Sequence, residues 1–420
     1  MLGLNPKIKS VVAREILDSR GNPTIEVKIE AGDFSAKASV ASGASVGERE
    51  AKELRDGDPT RFSGLGVLNA VNSINQKIYR SIIGCDPKDQ KKIDEILINL
   101  DGTKDKSKLG ANAIAAISMA AARLGANTKN FPLWRHIAQI AQSGNINSPK
   151  LPKPAFNIVN GGAHAGSELP IQEFMIVPYF DSATQNIRTG SEIYHHLKNI
   201  IKEEFGKTAV NIGDEGGFAP PTSSPYVVLE LIMKAINMLP NKNSEVKLIL
   251  DCAASQFQKG GQYIMSNQIY SSNGLMEFYK NLILKYPIIA LEDPFDENDW
   301  KGFQMIQEEF GKKITVIGDD LLTTNVSRII EAKEKAACNG AIIKINQVGT
   351  VSEAIEAVST AKSFGWQTMV SHRSGETLDD FISDFSVGIS ANYIKAGAPA
   401  RGERVAKYNR LIEIEKELQT

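Results

Sequence analysis

The strongest constraint on the fold is a series of six apolar runs in the second half of the chain, each ending in an ionisable residue. After a longer first step the runs recur at intervals of roughly 25 residues, about one βα unit, with helical stretches between them. The terminal residues are, in order, Asp251, Glu292, Asp319, Lys344, His372 with Arg373, and Lys395. Because the functional groups of a TIM-type barrel lie at the C-terminal ends of its strands, the series predicts such a barrel with a charged site at one mouth.

Two earlier runs, Ala155–Asn160 and Val210–Asp214, bring the number of predicted strands toward eight. An open doubly wound sheet is the rival fold, but its phosphate-binding loops are missing, since Asn69 stands where a GxGxxG loop would have its third glycine and no P-loop motif occurs. A single carboxylate after a strand is most often a helix N-cap. Six ionisable strand ends in series favour a shared site instead.

The first part of the chain has a different pattern. Thr24–Glu30 alternates with a period of two, and with Ile8–Ile16 before it and Phe34–Val40 after it predicts a small antiparallel meander. The pattern is helical from Gly66 to Gly125, and Gln142–Pro154 is rich in Ser, Asn, Gly and Pro. We therefore predict a smaller α+β domain over residues 1–141, a linker over 142–154, and the barrel domain over 155–420.

Composition excludes several classes of protein. With 48 Lys and Arg against 49 Asp and Glu, net charge gives no reason to expect nucleic acid or an anionic membrane as the main partner. No signal peptide or membrane span is predicted, because no apolar segment of the required length and character occurs. The cysteines, Cys85, Cys252 and Cys338, are odd in number and lack CxxC spacing, which is typical of a reducing compartment. We predict a cytoplasmic protein.

Three of the strand ends are acidic. If Asp251, Glu292 and Asp319 converge on one mouth, they cannot all stay ionised without a cation, and an all-oxygen ligand set suits Mg²⁺. Zinc is disfavoured because these ends offer no His or Cys. A buried structural acid cluster is the alternative, and three acids in series make it the weaker one.

Lysines follow the acids. Beside a divalent cation and Lys395, the pKa of Lys344 is predicted to be lowered, so that its neutral amine could act as a general base. The alternative for either lysine alone is a side chain whose ammonium group is in water, which is the more common case. Arg373 and Ser374 suit a phosphate or carboxylate, because guanidinium binds such groups bidentately and the hydroxyl adds a donor.

Two glycine-containing segments complete the predicted site. Gly216 and Gly217 follow Glu215 and would allow close backbone approach to a ligand. Ser42–Gly47 could be a mobile lid that supplies N–H groups and a serine oxygen, with a plain surface turn as the alternative. Together the residues predict metal-assisted proton abstraction beside a carboxylate, while an acid on the far face assists a leaving group.

These residues lie in motifs that resemble the enolase family nearly from end to end and in order. The matching motifs, specific as a set though not singly, include REILDSRGNPTIEV (Arg14–Val27), SGAS (Ser42–Ser45), NGGAHAG (Asn160–Gly166), GDEGGFAP (Gly213–Pro220), LEDPF (Leu291–Phe295), GDDL (Gly318–Leu321), SHRSGET (Ser371–Thr377) and IKAGAPARGER (Ile394–Arg404). The resemblance implies a barrel that opens ββαα(βα)6, with Ile171–Val177 as an antiparallel second strand. It also implies the reversible, glycolytic dehydration of 2-phospho-D-glycerate to phosphoenolpyruvate and water.

The same resemblance implies roles for the catalytic residues. Lys344 would abstract the C2 proton, and Glu215 would protonate the departing C3 hydroxyl. Glu173 and His164 would assist around that hydroxyl and the phosphate, with Gln172 adjacent.

It further implies two Mg²⁺ ions per site and a homodimer that sometimes assembles to an octamer. The first ion would be held by Asp251, Glu292 and Asp319, and the second by Ser45 and substrate phosphate. Substrate contacts would come from Arg373 and Ser374 at the phosphate and from Lys395 and His372 on the other side.

The chain departs from the family pattern at a few positions. Ala41 and Val46 flank SGAS in place of the usual Pro and Thr, and Gln256 stands where Glu is common. Glu413 replaces an arginine that pairs across the dimer with the acid matching Glu26, so that contact is expected to be absent.

Two other functions are open alternatives. Superfamily racemases and cycloisomerases share the metal acids but typically use a Lys-x-Lys pair where this chain has Asp214-Glu215-Gly216-Gly217. A scaffold or binding role, crystallin-like or plasminogen-binding, would be expected to lose charged site groups, and none is lost.

Overall fold

A computed structural model of the protein describes residues 6–43, 47–142, 149–166, 168–240 and 245–419. The first part of the chain forms a three-stranded antiparallel sheet in the order β1-β2-β3. Its strands are β1 (Ile8–Leu17), β2 (Pro23–Ala31) and β3 (Phe34–Ser39). The predicted meander is therefore confirmed. Its central strand buries Ile25, Val27 and Ile29 completely, which is the period-two pattern of a strand with one face in the core.

The described part of this region also contains five helices. They are α1 (Leu68–Ser73), α2 (Tyr79–Ile82), α3 (Gln90–Asp101), α4 (Ala111–Lys129) and α5 (Leu133–Ile140), with a π-helical segment (Ile74–Ile78) joining α1 to α2. Of these, α1, α2 and α4 contact the sheet while α3 and α5 pack on α4. The α4 helix contacts both β2 and β3 and is buried along most of its length. Its many alanines allow this close approach, since a small side chain lets backbones pack tightly.

The described residues of the rest of the chain form eleven strands, of which eight close into a barrel. They are β4 (Lys153–Asn160), β5 (Glu173–Pro178), β6 (Val246–Asp251), a separate small sheet of β7 (Gln258–Lys259), β8 (Gln262–Met265) and β9 (Gln268–Tyr270), then β10 (Ile288–Glu292), β11 (Thr315–Gly318), β12 (Gly340–Ile343), β13 (Gln367–Ser371) and β14 (Tyr393–Lys395). Around the barrel the order is β4, β5, β6, then β10 to β14 and back to β4.

The barrel opens as the resemblance implied. The β5 strand runs antiparallel to both β4 and β6, whereas the other neighbouring pairs are parallel. The predicted strand at Val210–Asp214 is wrong: residues 207–210 form a 3₁₀ turn, Ile212 is 42% exposed, and a single bridge joins it to Phe218. The place beside β4 is taken by β5, all of whose residues are buried, so the run at 210–214 has no sheet edge to join.

Helices surround the barrel. They are α6 (Ala183–Phe205), α7 (Pro225–Asn237), α8 (Ser272–Lys285), α9 (Trp300–Phe310), α10 (Val326–Glu334), α11 (Ile345–Val348), α12 (Val351–Ser363), α13 (Phe381–Gly388) and α14 (Gly402–Glu417). Several begin at side-chain caps: Ser182 accepts from the Gln185 amide before α6, and Thr350 from the Glu353 amide before α12. Among the described residues, no helix is both long and apolar enough to cross a membrane.

The barrel interior is apolar below its mouth. Its buried side chains include Met175, Ile249, Ile342 and Met369. The charged strand ends lie together at one end of the barrel. The first part of the chain closes over this end: the backbones of Ser42 and Gly375 pair with each other, at 2.7 and 2.9 Å. The mouth of the barrel is therefore also the junction between the two parts of the molecule.

Candidate active site

The ionisable strand ends meet in one cavity at the barrel mouth. Asp251 ends β6, Lys395 ends β14, and Lys344 follows β12. Glu173 begins β5, and because β5 is antiparallel its start lies opposite Asp251. All the predicted site residues line this cavity except Glu292 and Ser45. Glu292 contacts Lys395 from β10, and Ser45 lies outside the described residues.

Lys395 is the centre of a buried ion cluster. Its Nζ lies 2.8 Å from both oxygens of Glu292, 3.2 Å from Asp251 Oδ2 and 3.4 Å from Glu173 Oε1. Burial alone would lower the pKa of Lys395, but the Asp251, Glu173 and Glu292 carboxylates raise it well above its usual value. Lys395 is therefore held as a cation.

Lys344 has a simpler environment. Its Nζ pairs with Asp319 Oδ2, and Asp319 Oδ1 accepts from Gln347 Nε2 at 3.0 Å. We predicted a lowered pKa for Lys344; burial does act in that direction, but the Asp319 carboxylate outweighs it and the pKa is raised. The prediction assumed a cation shared by Asp319, and the direct ion pair gives the opposite sign.

On the opposite side, Glu215 lies between two histidines. Its Oε1 is 3.3 Å from His164 Nδ1, its Oε2 is 3.5 Å from His372 Nε2, and Asn157 Nδ2 donates to Oε2 at 2.8 Å. Burial would raise the pKa of Glu215, but His164 and His372 lower it well below its usual value. Burial and the neighbouring Glu215 raise that of Glu173. The pKa values of the two neighbouring carboxyl groups are therefore shifted in opposite directions, so that Glu173 takes up a proton more readily than Glu215.

The tautomer of His372 follows from its partner. Arg404 Nη1 lies 2.6 Å from His372 Nδ1, and a guanidinium can only donate, so Nδ1 is the acceptor and Nε2 carries the hydrogen. Burial lowers the pKa of His372 well below its usual value, despite the nearby Glu215 carboxylate. A neutral His372 therefore directs an N–H toward Glu215 and the cavity.

The glycines after Glu215 allow the predicted close packing. A Cβ on Gly217 would lie 2.6 Å from Asn160 Oδ1, and Gly216 has a φ of +85°, which only glycine adopts readily. The Glu215 carbonyl also accepts from the Ala398 amide at 2.8 Å. These contacts fix Glu215 at the cavity wall.

Arg373 and Ser374, the residues predicted to bind phosphate, are held in place by side chains that do not line the cavity. Arg373 forms a bidentate ion pair with Glu50, at 2.7 Å from Nη1 to Oε2 and 3.2 Å from Nη2 to Oε1. Arg404 donates to the carbonyls of Arg373 and Ser374 at 2.7 and 2.6 Å. Gln172 donates to Asp251 Oδ2 at 3.2 Å and accepts from Gln256.

The cavity has more carboxyl groups than cationic side chains, and this excess suits a hard cation. Six of its lining residues have carboxyl groups, against three with cationic side chains. Burial and Asp251 raise the pKa of Glu292, and burial with Asp319 raises that of Asp320 to about 7. The buried Glu173 Oε2 has no hydrogen-bond partner. Carboxylate oxygens in negative excess are the donor set that Mg²⁺ prefers.

The compact acid groups differ from the predicted trio. Within the described parts of the chain, ligand atoms within 4.8 Å of one another occur in His164, Glu173 and Glu215, and in Asp293, Asp319 and Asp320. Asp251, Glu292 and Asp319 are not one of these groups, and the ammonium groups of Lys395 and Lys344 lie against them.

Several residues of the site were missed by sequence reasoning. Asp293 and Asp320 line the cavity and follow Glu292 and Asp319 directly, so the doubled acids in LED and GDD were an available signal. Asn157 was also missed, and its signal was the presence of a polar residue inside an apolar strand. The roles of Glu50 and Arg404 had no local signal, because their partners are distant in sequence.

Comparison with known proteins identifies relatives over the whole chain. Residues 8–137 match the enolase N-terminal domain, and residues 148–420 match the enolase C-terminal TIM barrel domain. The chain is 50% identical over 420 residues to an enolase of Thermococcus gammatolerans, which covers 99% of this chain and 96% of the relative. It is 49% identical to enolase B of Dictyostelium discoideum, over 98% of this chain and 95% of the relative. With an enolase of Methanocaldococcus jannaschii it shares 48% identity, over 98% and 96%.

Proposed function

The chain belongs to the enolase family, and from this premise we propose how its residues carry out the dehydration of 2-phospho-D-glycerate to phosphoenolpyruvate. The enzyme is a carbon–oxygen lyase of glycolysis, a phosphopyruvate hydratase. The observation that carries the residue assignment is one cavity with Lys344 on one wall and the Glu173–Glu215 pair on another. A base and an acid on separate walls suit removal of a proton and a hydroxyl from adjacent carbons.

Substrate binding is proposed to use the cationic and neutral donors of the cavity. Arg373 and Ser374 would bind the phosphate, and His372, Lys395 and Gln172 would contact the rest of the substrate. Support comes from the planar guanidinium of Arg373, whose orientation is set by Glu50, and from the Nε2–H of His372 that faces the cavity. A guanidinium suits phosphate because its donors match the spacing of two oxygens.

The acids are proposed to hold the metal. Asp251, Glu292 and Asp319 would bind the first Mg²⁺, and Ser45, outside the described residues, would contribute to the second. Bound Mg²⁺ would stabilise the negative charge that develops on the substrate carboxylate when the C2 proton is lost. The negative excess in the cavity supports this assignment.

Lys344 is proposed to take the C2 proton. To do so it must be neutral, and burial favours the neutral amine, whereas the contact with Asp319 opposes it. Any weakening of that contact therefore lowers the pKa of Lys344. Lys395 has three carboxylate partners and remains a cation, so it is suited to binding negative charge rather than to accepting a proton.

Glu215 is proposed to protonate the departing C3 hydroxyl, with Glu173 and His164 assisting. The pKa of Glu173 is raised and that of Glu215 lowered, and His164 Nδ1 lies 3.3 Å from Glu215 Oε1 and 3.8 Å from Glu173 Oε1. This placement allows the proton of Glu173 to reach Glu215 within the cluster. An inert scaffold role is not favoured. Such a scaffold would be expected to have lost charged site residues, and the described cavity keeps each one that the sequence predicted for it.

We further propose that the protein is a cytoplasmic homodimer, with an octamer as the larger assembly. The free edge of β1 exposes Val12 and Leu17, at 58% and 57%, and Leu378 is 73% exposed. Glu26 pairs within the chain with Arg14 at 2.8 Å, in agreement with a dimer contact that lacks the usual arginine. The three cysteines are unpaired, which supports a reducing compartment.

The test is to incubate the purified protein with 2-phosphoglycerate and Mg²⁺ and follow the ultraviolet absorbance of the enol product. Formation of phosphoenolpyruvate that stops on chelation of the metal is expected. Absence of the product, or epimerisation of the substrate without loss of water, would refute the proposal.

A further inference from the structure

Glu50 is a buried acid that belongs to the first part of the chain but pairs with a barrel residue. It is 5% exposed and does not line the cavity. Its two oxygens hold both terminal nitrogens of Arg373, at 2.7 and 3.2 Å. A bidentate pair of this kind fixes the plane of the guanidinium as well as its position.

The same carboxylate makes two further contacts. Glu50 Oε1 accepts from the Gly47 amide at 3.0 Å and from Gln347 Nε2 at 3.3 Å. Gln347 also donates to Asp319 Oδ1 at 3.0 Å and accepts from Thr324 Oγ1 at 2.6 Å. Two side chains, Glu50 and Gln347, thus connect the proposed phosphate ligand with the carboxylate that pairs with Lys344.

We propose that Glu50 is a positioning residue for the reaction, holding Arg373 in the orientation that receives the substrate phosphate. The inference rests on the proposed function, because it takes Arg373 as the phosphate ligand. Glu50 acts through Arg373 and does not touch the substrate. Since Glu50 comes from the first part of the chain, the phosphate site is complete only when that part is docked on the barrel mouth.

Two other roles for Glu50 make opposite predictions. If Glu50 only neutralised Arg373, removing its charge would leave a stronger cation and phosphate ligands would bind more tightly. If it only joined the two parts of the molecule, removing any other ion pair across the junction would lower activity equally. Lys106 and Glu353 form a partly buried pair across that junction, 2.9 Å from Nζ to Oε1; Glu353 lies on α12, and neither residue lines the cavity.

The experiment compares Glu50→Gln, Glu50→Asp and the control Glu353→Gln with the full wild-type chain. Glu50→Gln keeps the shape and removes the charge, whereas Glu50→Asp keeps the charge and shortens the reach. Phosphoenolpyruvate is titrated calorimetrically in the presence of Mg²⁺, and kcat and KM are measured with 2-phosphoglycerate. Circular dichroism and thermal unfolding report whether each variant is folded.

For Glu50→Gln we expect kcat/KM to fall about 100-fold, the size expected for a misplaced binding group, with weaker phosphoenolpyruvate binding. Glu50→Asp should lose roughly tenfold, since its charge remains but its geometry does not. Glu353→Gln should match the wild type. Should Glu50→Gln fail to fold, the Glu50→Asp variant decides, because a role in neutralisation alone predicts wild-type binding for it.

Unchanged or tighter phosphoenolpyruvate binding in the folded Glu50 variants would overturn the proposal, as would an equal loss in Glu353→Gln. Failure of the proposed function has a different signature: the wild type itself would not dehydrate 2-phosphoglycerate. An active wild type with unaffected Glu50 variants would remove only the positioning role.

Discussion

Two buried clusters of polar groups in this molecule differ in how completely their carboxylates are satisfied. At the barrel mouth, Glu173 Oε2 is buried without a hydrogen-bond partner, and the buried His164 Nδ1 and His372 Nε2 have only the Glu215 oxygens near them, at 3.3 and 3.5 Å. Where α3 and α4 meet α12, the buried Asp94 accepts from Ser118 Oγ at 2.6 Å on one oxygen and from the Ser352 amide at 3.0 Å on the other.

The difference indicates what each cluster is for. Buried polar atoms in native proteins are nearly always paired, and both oxygens of the Asp94 carboxylate follow that rule with neutral donors. The mouth keeps unpaired atoms and surplus carboxylates, which destabilise the isolated chain and become favourable when a ligand supplies their partners. Variants in the mouth should therefore affect activity strongly, whereas variants around Asp94 should affect stability alone.

The largest expected effect is that of Lys344→Ala on turnover. Loss of a general base typically costs 100-fold to 10,000-fold, so we expect kcat to fall about 1,000-fold while phosphoenolpyruvate still binds. The measurement is the ultraviolet assay at saturating substrate and Mg²⁺. Lys106→Ala is the matched control, because Lys106 is also a buried lysine with one carboxylate partner, Glu353, and it should keep full turnover. A Lys344→Ala enzyme within tenfold of wild type would contradict the assignment.

Lys395→Met should lower both activity and stability. It leaves Glu173, Asp251 and Glu292 buried without their cation, and breaking a buried charge pair costs about 3–5 kcal/mol. Urea unfolding should show that loss, and turnover should fall about 100-fold or more. Lys344→Met is the comparison, since it removes a lysine with one carboxylate partner and should destabilise less. Equal destabilisation by the two substitutions would show that the number of partners does not matter.

Glu215→Gln should separate the two proton transfers. We expect kcat to fall about 100-fold because the acid that assists the leaving hydroxyl is lost. Lys344 is intact in this variant, so the C2 proton of 2-phosphoglycerate should still exchange with deuterium oxide, as followed by proton NMR. Lys344→Ala serves as the control that abolishes exchange. Loss of exchange in Glu215→Gln as well would place Glu215 in the first proton transfer.

Much of the mouth was predictable because the information is local. Each barrel strand is an apolar run, and the residue that ends it marks the mouth, so Asp251, Asp319 and Lys344 were identified from sequence together with the barrel. The strand predicted at Val210–Asp214 failed because a short apolar run does not show whether a sheet edge is available to it. The motif resemblance, rather than periodicity, located the second strand.

The electrostatic details were less accessible. The pKa of Lys344 was predicted to be lowered beside a divalent cation, whereas a direct contact with Asp319, which no pattern in the sequence reveals, raises it. Glu50 was missed because its partner Arg373 lies 323 positions away. Such pairs are properties of the docked molecule, whereas strand ends are properties of each segment.

The smallest expected effect concerns Asp94. Burial raises its pKa to about 6, although hydrogen bonds from Ser118, Ser352 and Gln90 act in the opposite direction. Because the folded-state pKa is above the unfolded value, the folded protein binds the proton more tightly than the unfolded chain does. The contribution of Asp94 to stability is therefore fully present below pH 4 and is lost as the pH rises to about 6, by about 3 kcal/mol in all.

Asp94→Asn should remove this pH dependence and leave turnover unchanged. The asparagine can keep an acceptor toward Ser352, and its amide can donate to Gln90 Oε1, which is buried without a partner. The measurement is the difference in unfolding free energy between variant and wild type, from urea unfolding at intervals between pH 4 and 7. The difference should shift in favour of the variant up to about pH 6 and then stay constant. A difference that does not depend on pH would mean that Asp94 titrates alike in both states, and a loss of turnover would mean that this cluster is coupled to the mouth after all.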